Sequence, residues 1–151
     1  MISPDKARDE INATFYVAWK SQTADIVGYI PQVLWQGSLQ TSIPDGSKFW
    51  ARVSQQTVTD EQATLSTCEG KPGQKKYTVR GLVFVQIFCP RSSGQAFQVG
   101  QKLAMVARKS FRGQSTAGKV WFRNARIQEL PPEELFERFN VVAEFEYDEL
   151  S

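Results

Sequence analysis

Histidine is absent from the sequence, and cysteine occurs only twice, as Cys68 and Cys89. The first absence removes the commonest general base and the commonest metal ligand. Two thiols cannot by themselves close a four-ligand zinc site. Without histidine, no Ser or Cys nucleophile has its usual partner. The two cysteines stand far apart in different contexts, which fits free thiols in a cytosolic chain better than a disulfide. No apolar run approaches the roughly 20 residues of a membrane helix. The polar start, MISPDKARDE, does not read as a secretory leader. These gaps set the expectation: not an enzyme, with no catalytic, cofactor or metal residues and no membrane partner.

Negative charge is missing from one long stretch. Between Gly70 and Gln128 there are twelve Lys and Arg and no Asp or Glu; from Glu129 onward there are eight acids and one Arg. The net charge is nevertheless only +2. In one reading the two segments neutralise each other as neighbours in one sheet. In another, basic and acidic surfaces meet across copies of the chain, or the basic face meets nucleic acid. Neutralisation or self-association is the preferred pair.

What is present points to one α+β domain covering 1–151. A chain of 151 residues buries about 70% of its unfolded surface, enough for a core of its own. The organising stretch is Tyr77–Phe88, which alternates strictly. Tyr77, Val79, Gly81, Val83, Val85 and Ile87 share one side. Thr78, Arg80, Leu82, Phe84, Gln86 and Phe88 share the other, polar at its start and apolar at its end. Period-2 patterning rich in β-branched and aromatic residues predicts the central strand of an antiparallel sheet. Gly81 suggests a bulge or bend within it, and Pro90 ends it.

A first helix is expected over about 4–20. Ser3 is its cap, Pro4 its first residue, Asp5, Asp9 and Glu10 favour its start, and Ile11, Phe15, Ala18 and Trp19 form its apolar face. A short strand follows at Val33–Trp35, confined to an edge by Pro31. Residues 37–48 form a loop with a Pro44-Asp45-Gly46 turn. Phe49–Thr57 is the next strand, with Trp50, Arg52, Ser54 and Gln56 opposite Phe49, Ala51, Val53 and Gln55. Val58–Gln74 then reads as a long turn-rich connection, a projecting loop or hairpin arm at about 57–75.

The second helix spans about 95–112 on Ala96, Val99, Leu103, Val106 and Ala107. Its interior Gly100 implies a close packing contact. Arg108, Lys109 and Arg112 suit its C-terminus, and Gly113 its left-handed stop. Val120–Ile127 is a strand with Trp121, Arg123 and Ala125 opposite Phe122, Asn124 and Arg126. Pro131-Pro132 breaks the chain, and Glu133–Glu137 suggests one helical turn with a solvated acidic face. Phe139–Tyr147 is the last strand, with Phe139, Val141, Ala143, Phe145 and Tyr147 inward. The architecture is an antiparallel sheet of four to five strands with two helices on one face.

One motif is rejected. Gly113–Val120, GQSTAGKV, nearly matches the phosphate loop, but Val120 lacks the hydroxyl, and a helix precedes where a strand is required. A basic stripe with aromatics, Trp121, Phe122, Arg123 and Arg126, is compatible with nucleic acid, though on a strand such aromatics belong more often to the core.

The segments RGLVFVQIFCPRSSG, KVWFRNARIQEL and FNVVAEFEYDEL, preceded by WARVSQQT and ATLS, resemble the tail terminator or tail completion proteins of long-tailed bacteriophages. The resemblance covers about residues 5–149 and leaves 25–48 unexplained. It implies a small α+β fold and a hexameric ring of identical subunits at the end of the tail tube. That ring stops tube polymerisation and offers a surface to the head-tail connector protein. It further implies the phage tail tube protein as a partner, passage of genomic DNA through the ring, assembly in the host cytoplasm and residence in the virion tail. The alternatives are a small basic nucleic-acid-binding module or another head-tail connector or adaptor protein. Arg52, Gln62, Thr64, Lys75 and Arg80, at the polar end of the strand pair and its arm, are the expected assembly contacts.

Overall fold

A computed structural model describes residues 1–37, 45–65 and 73–151. The first helix, α1, spans Pro4–Gln22 and buries Ala7, Ile11, Phe15 and Trp19 at four-residue steps. That spacing keeps one face toward the sheet. Ala7 joins the stripe, whereas Ala18 is only half-buried. Ser3 occupies the N-cap in an extended conformation without a side-chain cap bond to the helix. Its hydroxyl instead bonds to Asp5, and this bond, with the Lys6 backbone N–H, holds that carboxyl below its usual range. Thr23 closes the helix by donating to Trp19 O at 2.5 Å. A single turn, α2 (Ala24–Val27), ends on left-handed Gly28.

Five strands follow: β1 (Gln32–Trp35), β2 (Trp50–Gln62), β3 (Lys76–Pro90), β4 (Trp121–Leu130) and β5 (Phe136–Leu150). They form one sheet in the order β1-β2-β3-β5-β4. The α+β architecture and the central place of β3 agree with the sequence reading. Among the described residues the one parallel pairing is at the edge, where β1 lies beside β2 with Gln32 opposite Trp50. A parallel pair needs a crossover rather than a tight hairpin, and residues 36–49 separate the two strands in sequence. The remaining pairs are antiparallel.

Three expected boundaries move. The β2–β3 pair continues from Thr59↔Arg80 to Gln62↔Tyr77, so residues 58–62 are strand rather than loop. β5 runs beside this extension to Leu150, opposite Lys76. The predicted arm is therefore the end of a three-stranded sheet; its tip, 66–72, lies outside the described residues, as does Cys68. Likewise, 38–44 of the predicted 37–48 loop lie outside them. Of its turn, Asp45 Oδ1 accepts from Ser47 N at 2.9 Å. Finally, Glu133–Glu137 makes no helical turn. The chain bends at Glu134 and Leu135 and enters β5 at Phe136. Pairing of Pro90 with Phe136 and donation from Arg91 N to Leu135 O at 3.0 Å outcompete an isolated turn.

Helix α3 (Ala96–Phe111) and α1 pack on the same sheet face. Phe15 stacks on Phe111 at 6.3 Å and Phe111 meets Phe122 at 5.1 Å. This layer covers Ala51, Val53, Val79, Val83, Val85, Ile87, Val141 and Ala143. Gly100 sits directly on the sheet. A Cβ there would overlap Cys89 Sγ and come within 2.9 Å of the Phe139 ring. The close contact expected at Gly100 is thus present.

Two bulges adjust the sheet. On β2, Val58 is the extra residue between Thr57↔Gly81 and Thr59↔Arg80. Gly81 itself is flat against its neighbours, since a Cβ would strike Gln56 O and approach the Phe145 ring. The irregularity signalled by Gly81 therefore lies across the ladder. On β4, Asn124 and Ala125 together face the single residue between Arg123↔Glu144 and Arg126↔Val142, and Asn124 is left-handed at φ 55°. This shifts the phase, so Ala125 shares the buried face with Phe122 instead of pointing with Trp121.

Candidate interaction surface

Both helices lie on one side, so among the described residues the second sheet face has no covering layer. Register defines its rungs across β2, β3, β5 and β4. The first holds Trp50, Phe88, Arg138 and Leu130; the next holds Arg52, Gln86, Asn140 and Gln128. Then come Ser54, Phe84, Val142 and Arg126, followed by Gln56, Leu82, Glu144 and Arg123. The face therefore has an apolar strip (Leu82, Phe84, Val142) between an amide rung and charged flanks.

One end is aromatic. Trp50 and Phe88 stack at 3.9 Å with rings only 4° from parallel, and Phe136 meets both edge-on. The Arg52 guanidinium lies 5.6 Å from the Trp50 ring and 5.4 Å from Phe88. Rings and cation thus pack tightly on one another, leaving Trp50 and Phe88 buried and Phe136 half-buried. The Trp50 Nε1 donor is buried without a hydrogen-bond partner.

The other end is charged. Acidic β5 lies between basic β3 and β4. Glu146 takes Arg80 at 3.3 Å on one side and Arg123 at 2.7 Å on the other. Glu144 takes Arg126 at 3.4 Å and Asp148 takes Lys76 at 3.3 Å. The charge segregation in the sequence is therefore neutralised between neighbouring strands. These arginines face carboxylates, and Trp121, 56% exposed, is the only ring of the predicted basic-aromatic stripe that faces solvent. At the same end of the sheet, burial and, after it, the charge of Asp60 push the Glu149 carboxyl up.

The five predicted contact residues do not form one site. Gln62, Thr64 and Lys75 close the distal hairpin. Gln62 Nε2 donates to Thr64 O at 2.9 Å, Lys76 N donates to Thr64 Oγ1 at 3.1 Å, and Lys75 N donates to Ser151 O at 2.8 Å. Arg80 lies just inside, also 3.7 Å from Glu61. Arg52 pairs with Gln86, six residues further along β3, about 20 Å away at some 3.4 Å per residue. The stacked Trp50, Phe88 and Phe136 were missed as a cluster, because Phe136 enters the strand only through tertiary pairing. The signal available was the cross-strand alternation of Trp50 and Phe88.

The helical layer carries a second feature. A cavity of about 480 Å³ opens between the end of α1, α2 and α3, lined by Ile26, Met105, Val106, Lys102, Arg108 and Lys109 among others. Beside it a cleft of about 650 Å³ runs along α1 to the 114–117 loop, over Ala13, Val17 and Ala18. The near-phosphate loop has a structural role at its end. Thr116 Oγ1 and Gly118 N both donate to the Glu10 carboxylate at 2.9 Å. The anion it holds is the protein's own.

Among the described residues no group of three or more Cys, Asp or Glu side chains could hold a metal ion, and no helix is long and apolar enough to cross a membrane. Cys89 is buried and free, and desolvation, with Glu137 nearby, pushes its thiol up to about 12.

No protein-family model matches the sequence, and no curated protein matches it. Nine chains of solved structures match the fold. One, whose name states no function, superposes with a TM-score of 0.60 at 16% identity, covering 92% of this chain and 94% of its own. That likeness concerns the fold.

Proposed function

We propose that this protein is a structural assembly subunit of the tail-terminator kind: a ring of copies that caps a phage tail tube, halts its growth and presents a surface to a head-tail connector. The observation that carries this reading is the uncovered four-stranded face. An apolar strip bordered by fixed polar groups has the composition of a protein interface. Strand pairing on both sides makes it rigid, so little ordering entropy opposes docking. Proteins meet such a face, and in this reading the tail tube protein does. Passage of genomic DNA through the ring and residence in the virion tail follow from the same reading.

The reading is tested by adding the purified chain to polymerising tail tube protein and measuring tube lengths by negative-stain microscopy. Capping gives short tubes of narrow length distribution with a ring at one end. Phe84→Lys, in the middle of the uncovered face, should restore long tubes without changing the circular dichroism of the folded chain. A chain that stays monomeric by light scattering and leaves tube lengths unchanged overturns the proposal.

A further inference from the structure

The helical layer and the β4–β5 connection have complementary chemistry on separate parts of the molecule. In the cavity between α2 and α3, Ile26, Met105 and Val106 supply an apolar floor, and Met105 is 49% exposed. Lys102, Arg108 and Lys109 stand around it, and none of them makes an ion pair among the described residues. The connection Pro131–Leu135 presents the converse. Leu135 is 64% exposed, next to the exposed Glu133 and Glu134, and Glu129 is exposed at the end of β4 where the connection begins. Glu133 is held by Arg138 at 3.1 Å, whereas Glu129 and Glu134 make no ion pair among the described residues. Pro131 and Pro132 stiffen the entry, Arg138 donates to Pro131 O at 3.0 Å, and Arg91 N donates to Leu135 O at 3.0 Å. The leucine is thus displayed on a fixed loop.

From these observations we infer that Leu135 of one copy, flanked by Glu129 and Glu134, docks in the Lys102–Arg108–Lys109 cavity of the next copy. Within one chain the two cannot meet. The loop is tied to Arg91 before the start of α3, while the cavity opens beside its second half, and ten helical residues from 96 to 105 rise about 14 Å. A contact between two different patches is heterologous: each copy uses its loop on one neighbour and its cavity on the other. Such contacts close into rings or run on as filaments. An exposed leucine entering an apolar pocket supplies the burial, and the surrounding opposite charges set register and speed encounter. The β4 edge gives a weaker route to self-association. It carries the Asn124-Ala125 bulge, Arg123 and Arg126, and Arg112 donates to Ala125 O at 3.3 Å, features that discourage edge pairing.

This inference rests on the assembly reading, and charge reversal tests it separately. Sedimentation of the full-length wild type at low salt should show oligomers. The cavity variant Lys102→Glu/Arg108→Glu and the loop variant Glu129→Lys/Glu134→Lys should each weaken association at least about ten-fold, the scale expected where a central contact is lost. An equimolar mixture of the two should associate again, because reversed loops then face reversed cavities at one of the two junction types. Leu135→Asp should dissociate the assembly without that rescue. Unchanged melting temperatures for all variants confirm that folding is intact. Oligomers that survive either reversal, or fail to reform in the mixture, overturn this contact and leave the assembly reading standing. A wild type that neither associates nor caps tubes overturns both. Binding of duplex DNA that disappears in Lys102→Glu/Arg108→Glu while the oligomer persists assigns these cations to nucleic acid and overturns the contact.

Discussion

Gly100 shows how a single position can reverse a general preference. Exchanging Gly for Ala inside a helix ordinarily gains about 1 kcal/mol. Here the new methyl would overlap Cys89 Sγ and crowd the Phe139 ring. Overpacking of this kind costs about 1–3 kcal/mol. Gly100→Ala should therefore lower the urea midpoint, and Cys89→Ala in the same chain should recover part of the loss, since it clears the space. Cys89 supports a second residue-scale prediction. Its thiol is raised from 9.0 to about 12 in the folded state, so between those values the unfolded chain loses a proton that the native chain keeps. The thiol's contribution is complete below pH 9 and declines as pH rises toward 12. In a Cys68→Ser background, Cys89 should resist thiol reagents at pH 8 until denaturant unfolds the chain, and Cys89→Ser should flatten the fall in stability above pH 9.

At the scale of elements, two devices join pieces distant in sequence. Glu10 on α1 anchors the turn before β4 through Thr116 and Gly118. Replacing it by Ala leaves a partly buried N–H and hydroxyl without an acceptor, at a cost of about 1–3 kcal/mol. Hydrogen exchange should show the Gly118 amide losing protection, while amides in the middle of β3 change only as global stability falls. The β4 bulge is the other device. Asn124 holds φ 55°, a conformation that costs most L residues about 1–2 kcal/mol and suits Asn or Gly. Asn124→Val should destabilise by about that amount and Asn124→Gly should be close to neutral, as read by thermal melting.

At the scale of the whole molecule, charge and covering decide the outcome. Glu146 sits between Arg80 and Arg123 with its side chain 23% exposed, against 52% and 63% for the two arginines. Exposed pairs contribute about 0–1 kcal/mol each. Glu146→Gln should therefore lower stability by no more than about 1 kcal/mol in low salt, and the difference should shrink near 1 M NaCl as screening shortens to about 3 Å. The more consequential global feature is asymmetry. Among the described residues one sheet face supports both helices and the other supports none; on that second face Leu82, Phe84, Gln86 and Asn140 are half-buried, while Trp50, Phe88 and Val142 are buried by their neighbours in the sheet.

Much of this arrangement was already legible in local pattern. Strict alternation over Tyr77–Phe88 determined β3, because side chains of a strand alternate between two faces. The spacing of Ile11, Phe15 and Trp19 determined α1, and Gly100 announced tight packing. Local pattern did not reach events that depend on a neighbour. The parallel docking of β1, the strand extension through Gln62 and the conversion of Glu133–Glu137 into a bend and a strand each require hydrogen bonds from a partner distant in sequence. The bulge that turned Ala125 inward is likewise a property of the β4–β5 pair. The five residues expected to act together were grouped by nearness in pattern, and register placed Arg52 at the opposite end from the rest. Sequence alone determined which residues are apolar and that acids and bases are segregated. Only the tertiary structure decided that those charges cancel across adjacent strands, because cross-strand partners are chosen by the folding of the whole sheet.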